Sequence, residues 1–172
     1  MARYLGRVKV HKVDSNGDKI TNLSKWLKQN PNKLYFDSYL EFQCYTYLKT
    51  RKDITFTFHP DKVVYLRGYT SETFTPSKKA KKDIVSRKIK KGDIIPAKIS
   101  KQKVQEASYT ADFLLSYKNK EFFIETKGFA DEAFKLRFKF FKSQLNKNQQ
   151  AYVVKSLKEF KELLNLLYAK EK

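Results

Sequence analysis

The sequence contains few of the residues on which several common kinds of site depend. A single cysteine, Cys44, excludes an internal disulfide and a four-cysteine zinc or iron–sulfur site within one chain. The two histidines, His11 and His59, are far apart in sequence, which argues against a zinc site. Five glycines in total argue against a loop that cradles a nucleotide.

Acidic residues are scarce relative to basic ones. The chain has 37 Lys and Arg against 18 Asp and Glu, a formal net charge of +19. This excess is larger than solubility requires and implies a polyanionic partner, which is DNA, RNA or, less often, an anionic membrane. No apolar run approaches the roughly 20 residues of a membrane span, and the first ten residues lack an apolar signal segment. We therefore expect a cytoplasmic protein without a membrane partner.

The order of elements predicts an α/β fold with a mixed central sheet. At 172 residues, with 15% aromatic residues, the chain is expected to form one domain, 1–172, with a substantial core. Apolar spacing and turn signals predict the elements along the chain. They are a helix from Ser38 to about Arg51, strands at Ile54–Phe58 and Lys62–Leu66, a hairpin at 109–127, a helix from Asp131 to about Leu145, a strand at Ala151–Val154 and a last helix after Ser156.

The hairpin carries ionisable residues inside apolar strands. The first strand is predicted at Tyr109–Tyr117 and the second at Glu121–Lys127, with Lys118-Asn119-Lys120 as the turn. The first strand contains Asp112, and the second contains Glu125 and Lys127. A charge inside a buried strand costs several kcal/mol unless it is paired or binds a cation.

The register of this hairpin decides whether these groups meet. Side chains alternate along a strand, so Glu125 and Lys127 share a face while Thr126 points the other way. Asp112 joins that face if even positions on the first strand pair with odd positions on the second, as a two-residue loop (Asn119-Lys120) or a four-residue loop requires. A divalent cation would then remove the repulsion between Asp112 and Glu125, and oxygen ligands suit Mg²⁺ or Mn²⁺. Lys127 would position water or offset charge on a phosphate.

These residues resemble a known nuclease motif. Asp112, a gap of 12 residues and then Glu125-Thr126-Lys127 resembles the PD-(D/E)XK motif of the restriction-endonuclease-like superfamily, with Ala111 where the motif name has proline. Phe36-Asp37-Ser38 with Glu41, Tyr-Thr-Ala-Asp-Phe at 109–113 and Glu-x-Lys-Gly are similar to a phage-encoded, Holliday-junction-resolvase-like branch.

The resemblance implies a fold, a reaction and a set of site residues. It implies an α/β/α sandwich and a magnesium-dependent endonuclease that hydrolyses DNA phosphodiester bonds. Asp112, Glu125 and the Thr126 carbonyl would bind Mg²⁺ or Mn²⁺, Glu41 would complete the site, and Lys127 would position the water. The branch implies structured or branched DNA as substrate, a homodimer, and the cytoplasm of a bacterial host.

Glu41 and His59 each have a plain structural interpretation. Ser38-Tyr39-Leu40-Glu41 matches a capping box, in which Glu41 bonds back to the Ser38 amide. The local pattern favours this cap, whereas the resemblance favours a metal-binding carboxylate. His59 lies beside Pro60 and Asp61, and a histidine in such a turn is more often structural than catalytic.

Basic residues concentrate in two regions. A predicted insertion at about 68–107 includes Ser77–Lys103, which holds eleven Lys or Arg and two Asp. It is either a solvated loop or an arm along a phosphate backbone. The helix after Gly128 is amphipathic, and its lysines either face solvent or lie beside the scissile phosphate. The predicted contacts to nucleic acid are Lys78, Lys79, Lys81, Lys82, Arg87, Lys88, Lys90, Lys91, Lys135, Lys139 and Lys142.

Two other functions are compatible with the charge. A non-catalytic DNA- or RNA-binding protein would be equally basic, but it gains nothing from acids where a phosphate docks. RNA as the substrate also stays open, because no RNA-recognition signature is present.

Overall fold

The computed structural model describes residues 11–76, 85, 86, 88 and 97–169. They form a mixed α/β structure with two compact units. The first unit is Met1–Val63 with Tyr109–Lys172, and the second is Val64–Ser108. The predicted insertion at about 68–107 lies within the bounds of the second unit, and the assignment of the whole chain to one domain stays a prediction.

Ten strands and four helices are found among the described residues. In chain order they are β1 (Val13–Asp14), α1 (Leu23–Gln29), β2 (Tyr35–Phe36), α2 (Tyr39–Thr50), β3 (Thr55–Phe58), β4 (Val63–Leu66), β5 (Tyr69–Pro76), β6 (Ala97–Val104), β7 (Ala107–Tyr109), β8 (Phe113–Tyr117), β9 (Lys120–Thr126), α3 (Glu132–Ser143), β10 (Gln149–Val154) and α4 (Leu157–Ala169).

A mixed four-stranded sheet organises the first unit. Its strand order is β10–β9–β8–β3, with β10 parallel to β9 and the other neighbours antiparallel. The central strands β8 and β9 form the predicted hairpin. Its two-residue turn is Lys118-Asn119, which is closed by the pair Tyr117 and Lys120. The two-residue loop predicted at Asn119-Lys120 is therefore displaced by one residue toward the C-terminus. The pairing of even with odd positions, on which the site argument depends, is nevertheless present.

The single strand predicted at Tyr109–Tyr117 is wrong, because it is interrupted at residues 110–112. The side chain of Asp112 explains the interruption. Its Oδ2 accepts the Thr126 amide at 2.6 Å, so a carboxylate replaces a backbone carbonyl where the β8–β9 ladder would continue. Asp112 therefore lies directly before the first residue of β8 rather than inside the strand.

The main core lies between the sheet and the helices α2 and α4. Cys44 and Leu48 of α2 and Phe160 and Leu164 of α4 are all 0–1% exposed. They pack on alternate residues of the sheet, because every second side chain of a strand points to the same face. These are Phe113, Leu115, Phe122, Ile124 and Val154.

Helix α3 packs against residues of the other face. Phe141 of α3 is fully buried, and its ring centroid lies 5.3 Å from that of Phe123. Since Phe123 and Glu125 are two residues apart on β9, α3 lies on the face of the sheet that carries Glu125. The cap of this helix is Asp131, whose Oδ1 accepts the Phe134 amide at 2.7 Å.

The second unit contains two-stranded sheets. β4 pairs with β7, and β5 pairs with β6 in an antiparallel register that runs from Tyr69 opposite Val104 to Pro76 opposite Ala97. These two paired strands, 69–76 and 97–104, lie within the predicted insertion. No helix in the described parts of the chain is both long and apolar enough to cross a membrane.

The turn at Gly17 offers a test of how the start of α2 is supported. Gly17 has φ +87°, and a Cβ built on it would lie 2.8 Å from the ring of Phe42 on α2. We expect Gly17→Ala to lower the free energy of unfolding in urea by about 1–2 kcal/mol, from backbone strain and the clash. Gly128→Ala is the matched control, because its added Cβ meets nothing within 4 Å. Equal stability of the two variants would contradict the argument.

Candidate active site

Three strand ends meet at one edge of the four-stranded sheet. Phe58 at the end of β3 pairs with Phe113 at the start of β8, and Phe113 pairs with Ile124 near the end of β9. One step beyond these pairs, the register places His59, Asp112 and Glu125 in a row across the sheet. The His59 amide donates to the Asp112 carbonyl at 2.9 Å, which fixes the first two of them.

Asp112 is anchored by Thr126. The Thr126 amide and hydroxyl both donate to Oδ2 of Asp112 at 2.6 Å, while Oδ1 accepts no hydrogen bond from the described residues. Burial, followed by the negative charge of Glu41, raises the pKa of Asp112 to about 6, although the Thr126 hydrogen bonds oppose the rise. The Thr126 side chain was predicted only to point away from the site. Its role as a support for Asp112 was missed, and a role for its carbonyl stays a prediction.

Glu125 is a buried acid without a strong hydrogen bond. It is 8% exposed, and burial followed by the charge of Asp112 raises its pKa to about 8. The positive charge of Lys127, which lies on the same sheet face, lowers the pKa of Glu125 and so opposes this rise. The Lys127 ammonium lies 5.2 Å from the centroid of the Phe134 ring on α3. The two acids and the amine of the motif therefore influence one another at this sheet edge.

Tyr109 lies beside Glu125. Its hydroxyl is buried and makes no hydrogen bond of normal geometry, but it is close enough for the charge of Glu125, after burial, to raise the pKa of the phenol. The ring is held on α3 by stacking with Phe141 at 4.8 Å. The Tyr109 hydroxyl is therefore the polar group that faces the Glu125 carboxylate from β7.

Glu41 forms the predicted cap, and its metal-binding role stays a prediction. It is 1% exposed at the third position of α2, and the capping box predicted with Ser38 is present. Its Oε2 accepts the amides of Asp37 at 2.6 Å and Ser38 at 3.3 Å. Its Oε1 lies 2.7 Å from Nε2 of His59. The cap therefore uses one oxygen and turns the other toward the site.

His59 joins the site, which sequence reasoning did not anticipate. Its hydrogen bond with Glu41 raises the imidazole pKa above its ordinary value. Its backbone has φ 47°, which is rare for a residue with a side chain, and its ring stacks on Phe58 at 3.9 Å. The available signal was its position directly after the strand Ile54–Phe58, since the antiparallel partner of that strand begins beside Asp112.

A group of possible metal ligands results from this geometry. Ligand atoms of Glu41, His59 and Asp112 all lie within 4.8 Å of one another, whereas Glu125 is not a member of this group. Two carboxylates and an imidazole are compatible with a divalent cation such as Mn²⁺, and carboxylates with Mg²⁺.

The Cys44 thiol is close to the site but buried in the core. Burial, followed by the negative charges of Asp112 and Glu41, raises the pKa of Cys44 to about 12, so this thiol is unreactive.

The predicted contacts to nucleic acid divide into three sets. Lys135, Lys139 and Lys142 are exposed on α3, and Lys135 makes an ion pair with Glu132 at 2.6 Å. Lys88 is exposed. The others, Lys78, Lys79, Lys81, Lys82, Arg87, Lys90 and Lys91, lie outside the described residues.

Comparison of this chain with models of protein families, with curated proteins and with solved structures finds no match. The residues of the site and their geometry therefore carry the functional argument.

The raised pKa values of Asp112 and Glu125 predict how stability depends on pH. Both carboxyl groups bind protons more tightly in the folded than in the unfolded protein, so the free energy of unfolding falls as pH rises from about 5 to about 8. We expect Glu125→Gln to stabilise the metal-free protein by about 2–4 kcal/mol more at pH 8 than at pH 5.

The measurement is urea unfolding in EDTA at both pH values. Glu162→Gln is the control, because Glu162 is 60% exposed on α4. If Glu125→Gln raised the free energy of unfolding equally at both pH values, the pKa of Glu125 would not be raised by burial and by the charge of Asp112.

Proposed function

We propose that this protein is a metal-dependent endonuclease that hydrolyses DNA phosphodiester bonds. The observation that carries the proposal is the register of β8 and β9, which brings Asp112 opposite Glu125 at the end of the sheet. Lys127 lies on the same face as Glu125, and Glu41 contributes a third carboxylate from α2. A protein that only bound nucleic acid would be weakened by three acids at the place where a phosphate docks.

The acidic residues fit a divalent cation. Oδ1 of Asp112 accepts no hydrogen bond from the described residues, and burial followed by neighbouring negative charge raises the pKa values of Asp112 and Glu125. Asp112, Glu125 and Glu41 would hold the ion, with the Thr126 carbonyl as a further ligand. A bound Mg²⁺ or Mn²⁺ would supply positive charge for the phosphate oxygens and lower the pKa of water.

The remaining residues orient water, substrate and the acids themselves. Lys127 would donate a hydrogen bond to the attacking water or to the phosphate, because its ammonium carries no carboxylate ion pair among the described residues. Thr126 holds Asp112 in place through two short hydrogen bonds. His59 forms a hydrogen bond with Oε1 of Glu41, the oxygen that the cap does not use. This bond keeps the Glu41 carboxylate near Asp112.

The resemblance to the PD-(D/E)XK motif supports the same assignment. From this resemblance we also propose an α/β/α sandwich of the restriction-endonuclease-like type and a branched or structured DNA substrate. We further propose a homodimer that acts in the cytoplasm of a bacterial host. The packing of α2 and α4 on one face of the sheet and of α3 on the other is the arrangement such a sandwich requires. The net charge of +19 suits the DNA backbone.

Cleavage by matched variants tests the assignment. We expect Asp112→Asn and Glu125→Gln each to lower Mg²⁺-dependent cleavage of DNA by about a hundredfold or more, while DNA binding persists or tightens because negative charge is removed. The substrates are a linear duplex, a four-way junction, single-stranded DNA and RNA of matched length, assayed side by side. Glu162→Gln is the control for a lost surface charge.

Undiminished cleavage by both site variants would reject the assignment. DNA binding with no cleavage by the unaltered protein in Mg²⁺ or Mn²⁺ would instead favour the non-catalytic nucleic-acid-binding protein. Preferential cleavage of RNA would contradict DNA as the substrate.

Thermal unfolding tests the cation separately from catalysis. We expect Mg²⁺ or Mn²⁺ in the millimolar range to raise the Tm of the unaltered protein and to raise it more at pH 8 than at pH 5, because protons compete with the ion for the carboxylates. Asp112→Asn is expected to lose most of this increase. An equal increase in Asp112→Asn would place the bound ion elsewhere.

A further inference from the structure

A groove lies between α3 and β10, beside the candidate active site. Its volume is about 400 Å³, within the range of about 300–1,000 Å³ that is usual for ligand sites. Its apolar lining includes the side chains of Phe134, Phe138 and Val153. Lysines line the rest, and we call the whole the lysine groove: Lys135, Lys139, Lys142 and Lys155.

The lysine groove is continuous with the candidate active site. Val153 pairs with Glu125 in the parallel register of β10 and β9, so both residues lie on the same sheet face. The Phe134 ring, which lines the groove, is also the ring that the Lys127 ammonium contacts at 5.2 Å. A polymer held at Lys127 would therefore meet one end of the groove.

The charge of the groove is positive and largely uncompensated. Lys139, Lys142 and Lys155 are exposed and make no ion pair with the described residues. Lys135 is the exception, because it binds Glu132. Three free ammonium groups around an apolar interior match a ligand that is anionic at regular intervals and apolar between them.

Phe129 lies in the short segment between Lys127 and the start of α3. It follows Lys127 by two residues, is 80% exposed, and precedes Ala130, which lines the groove. Exposed aromatic rings and basic side chains are together what proteins use to hold the bases and phosphates of a single strand.

We propose that the lysine groove and Phe129 bind an unpaired DNA strand that leads away from the bond to be cleaved. This inference rests on the proposed nuclease function. In a duplex the faces of the bases are stacked on each other and cannot reach an apolar groove or Phe129. In an unpaired strand each base offers an open face, and each phosphate can meet a lysine. The substrate would therefore be DNA with an unpaired segment next to the cleaved phosphate.

Binding in EDTA tests the groove without cleavage. The probes are fluorescein-labelled oligothymidylate of about 12 nucleotides and a mixed-sequence duplex of the same length, measured by anisotropy over a range of salt. We expect the triple variant Lys139→Ala, Lys142→Ala, Lys155→Ala to weaken oligothymidylate binding about tenfold or more. Its salt slope is expected to fall by about 2, since each phosphate contact to a single strand contributes about 0.7.

A matched triple variant controls for net charge. Lys25→Ala, Lys28→Ala and Lys52→Ala remove the same charge from exposed positions outside the groove. We expect this control to lose clearly less affinity for oligothymidylate. Equal losses in the two triple variants would overturn the proposal, because binding would then follow charge alone.

Phe129 separates stacking from charge. We expect Phe129→Ala to weaken oligothymidylate binding about tenfold with little change for the duplex, and Phe129→Trp to retain the affinity. Equal losses for both probes, or no loss, would overturn a stacking role. Stronger binding of oligouridylate than of oligothymidylate would overturn DNA as the occupant.

Failure of this inference and failure of the nuclease assignment are distinguishable. If Asp112→Asn abolishes cleavage but the groove variants bind oligothymidylate like the control, the groove does not bind a single strand and the nuclease assignment is retained. If the groove variants lose the strand but the unaltered protein cleaves nothing, the strand site stands and the nuclease assignment fails.

Discussion

Mutual repulsion among three carboxyl groups at one sheet edge is the constraint on which the rest of the structure depends. Glu41 and Glu125 are buried and Asp112 is half-buried, so each loses much of its hydration when the chain folds. Burial and the neighbouring negative charges raise the pKa values of Asp112 and Glu125. An arrangement of this kind weakens the fold unless the charges are compensated, and this is the basis of the proposal that the site binds a divalent cation.

The surrounding residues keep the acids in place despite the repulsion. The α2 cap holds one oxygen of Glu41, and His59 holds the other. Thr126 bonds Asp112 through its amide and its hydroxyl, which ends the β8–β9 ladder at that point. Glu125 has no comparable support, although Tyr109 lies beside it. It is therefore the least supported of the three acids in this structure.

Much of this site could be predicted from the sequence, because the spacing of the charges within apolar strands is local information. The predicted even-with-odd pairing placed Asp112 on the sheet face of Glu125, and the Ser38 pattern placed a cap at Glu41. His59 was missed because its contact with Glu41 depends on β3 pairing with β8, a tertiary event. The break before Asp112 was missed because strand propensity does not register a carboxylate that replaces a backbone carbonyl. The lysine groove likewise depends on the packing of α3 beside β10.

Anomalous diffraction from crystals soaked in Mn²⁺ tests the central claim most directly. Our account predicts one strong anomalous peak at the sheet edge, within about 2.3 Å of a carboxylate oxygen of Asp112 and of at least one oxygen from Glu41 or Glu125. The same soak of Asp112→Asn crystals is expected to lose the peak. A crystal in which Mn²⁺ binds only elsewhere, with the three carboxyl groups unchanged, would contradict the claim that they are held together for a cation.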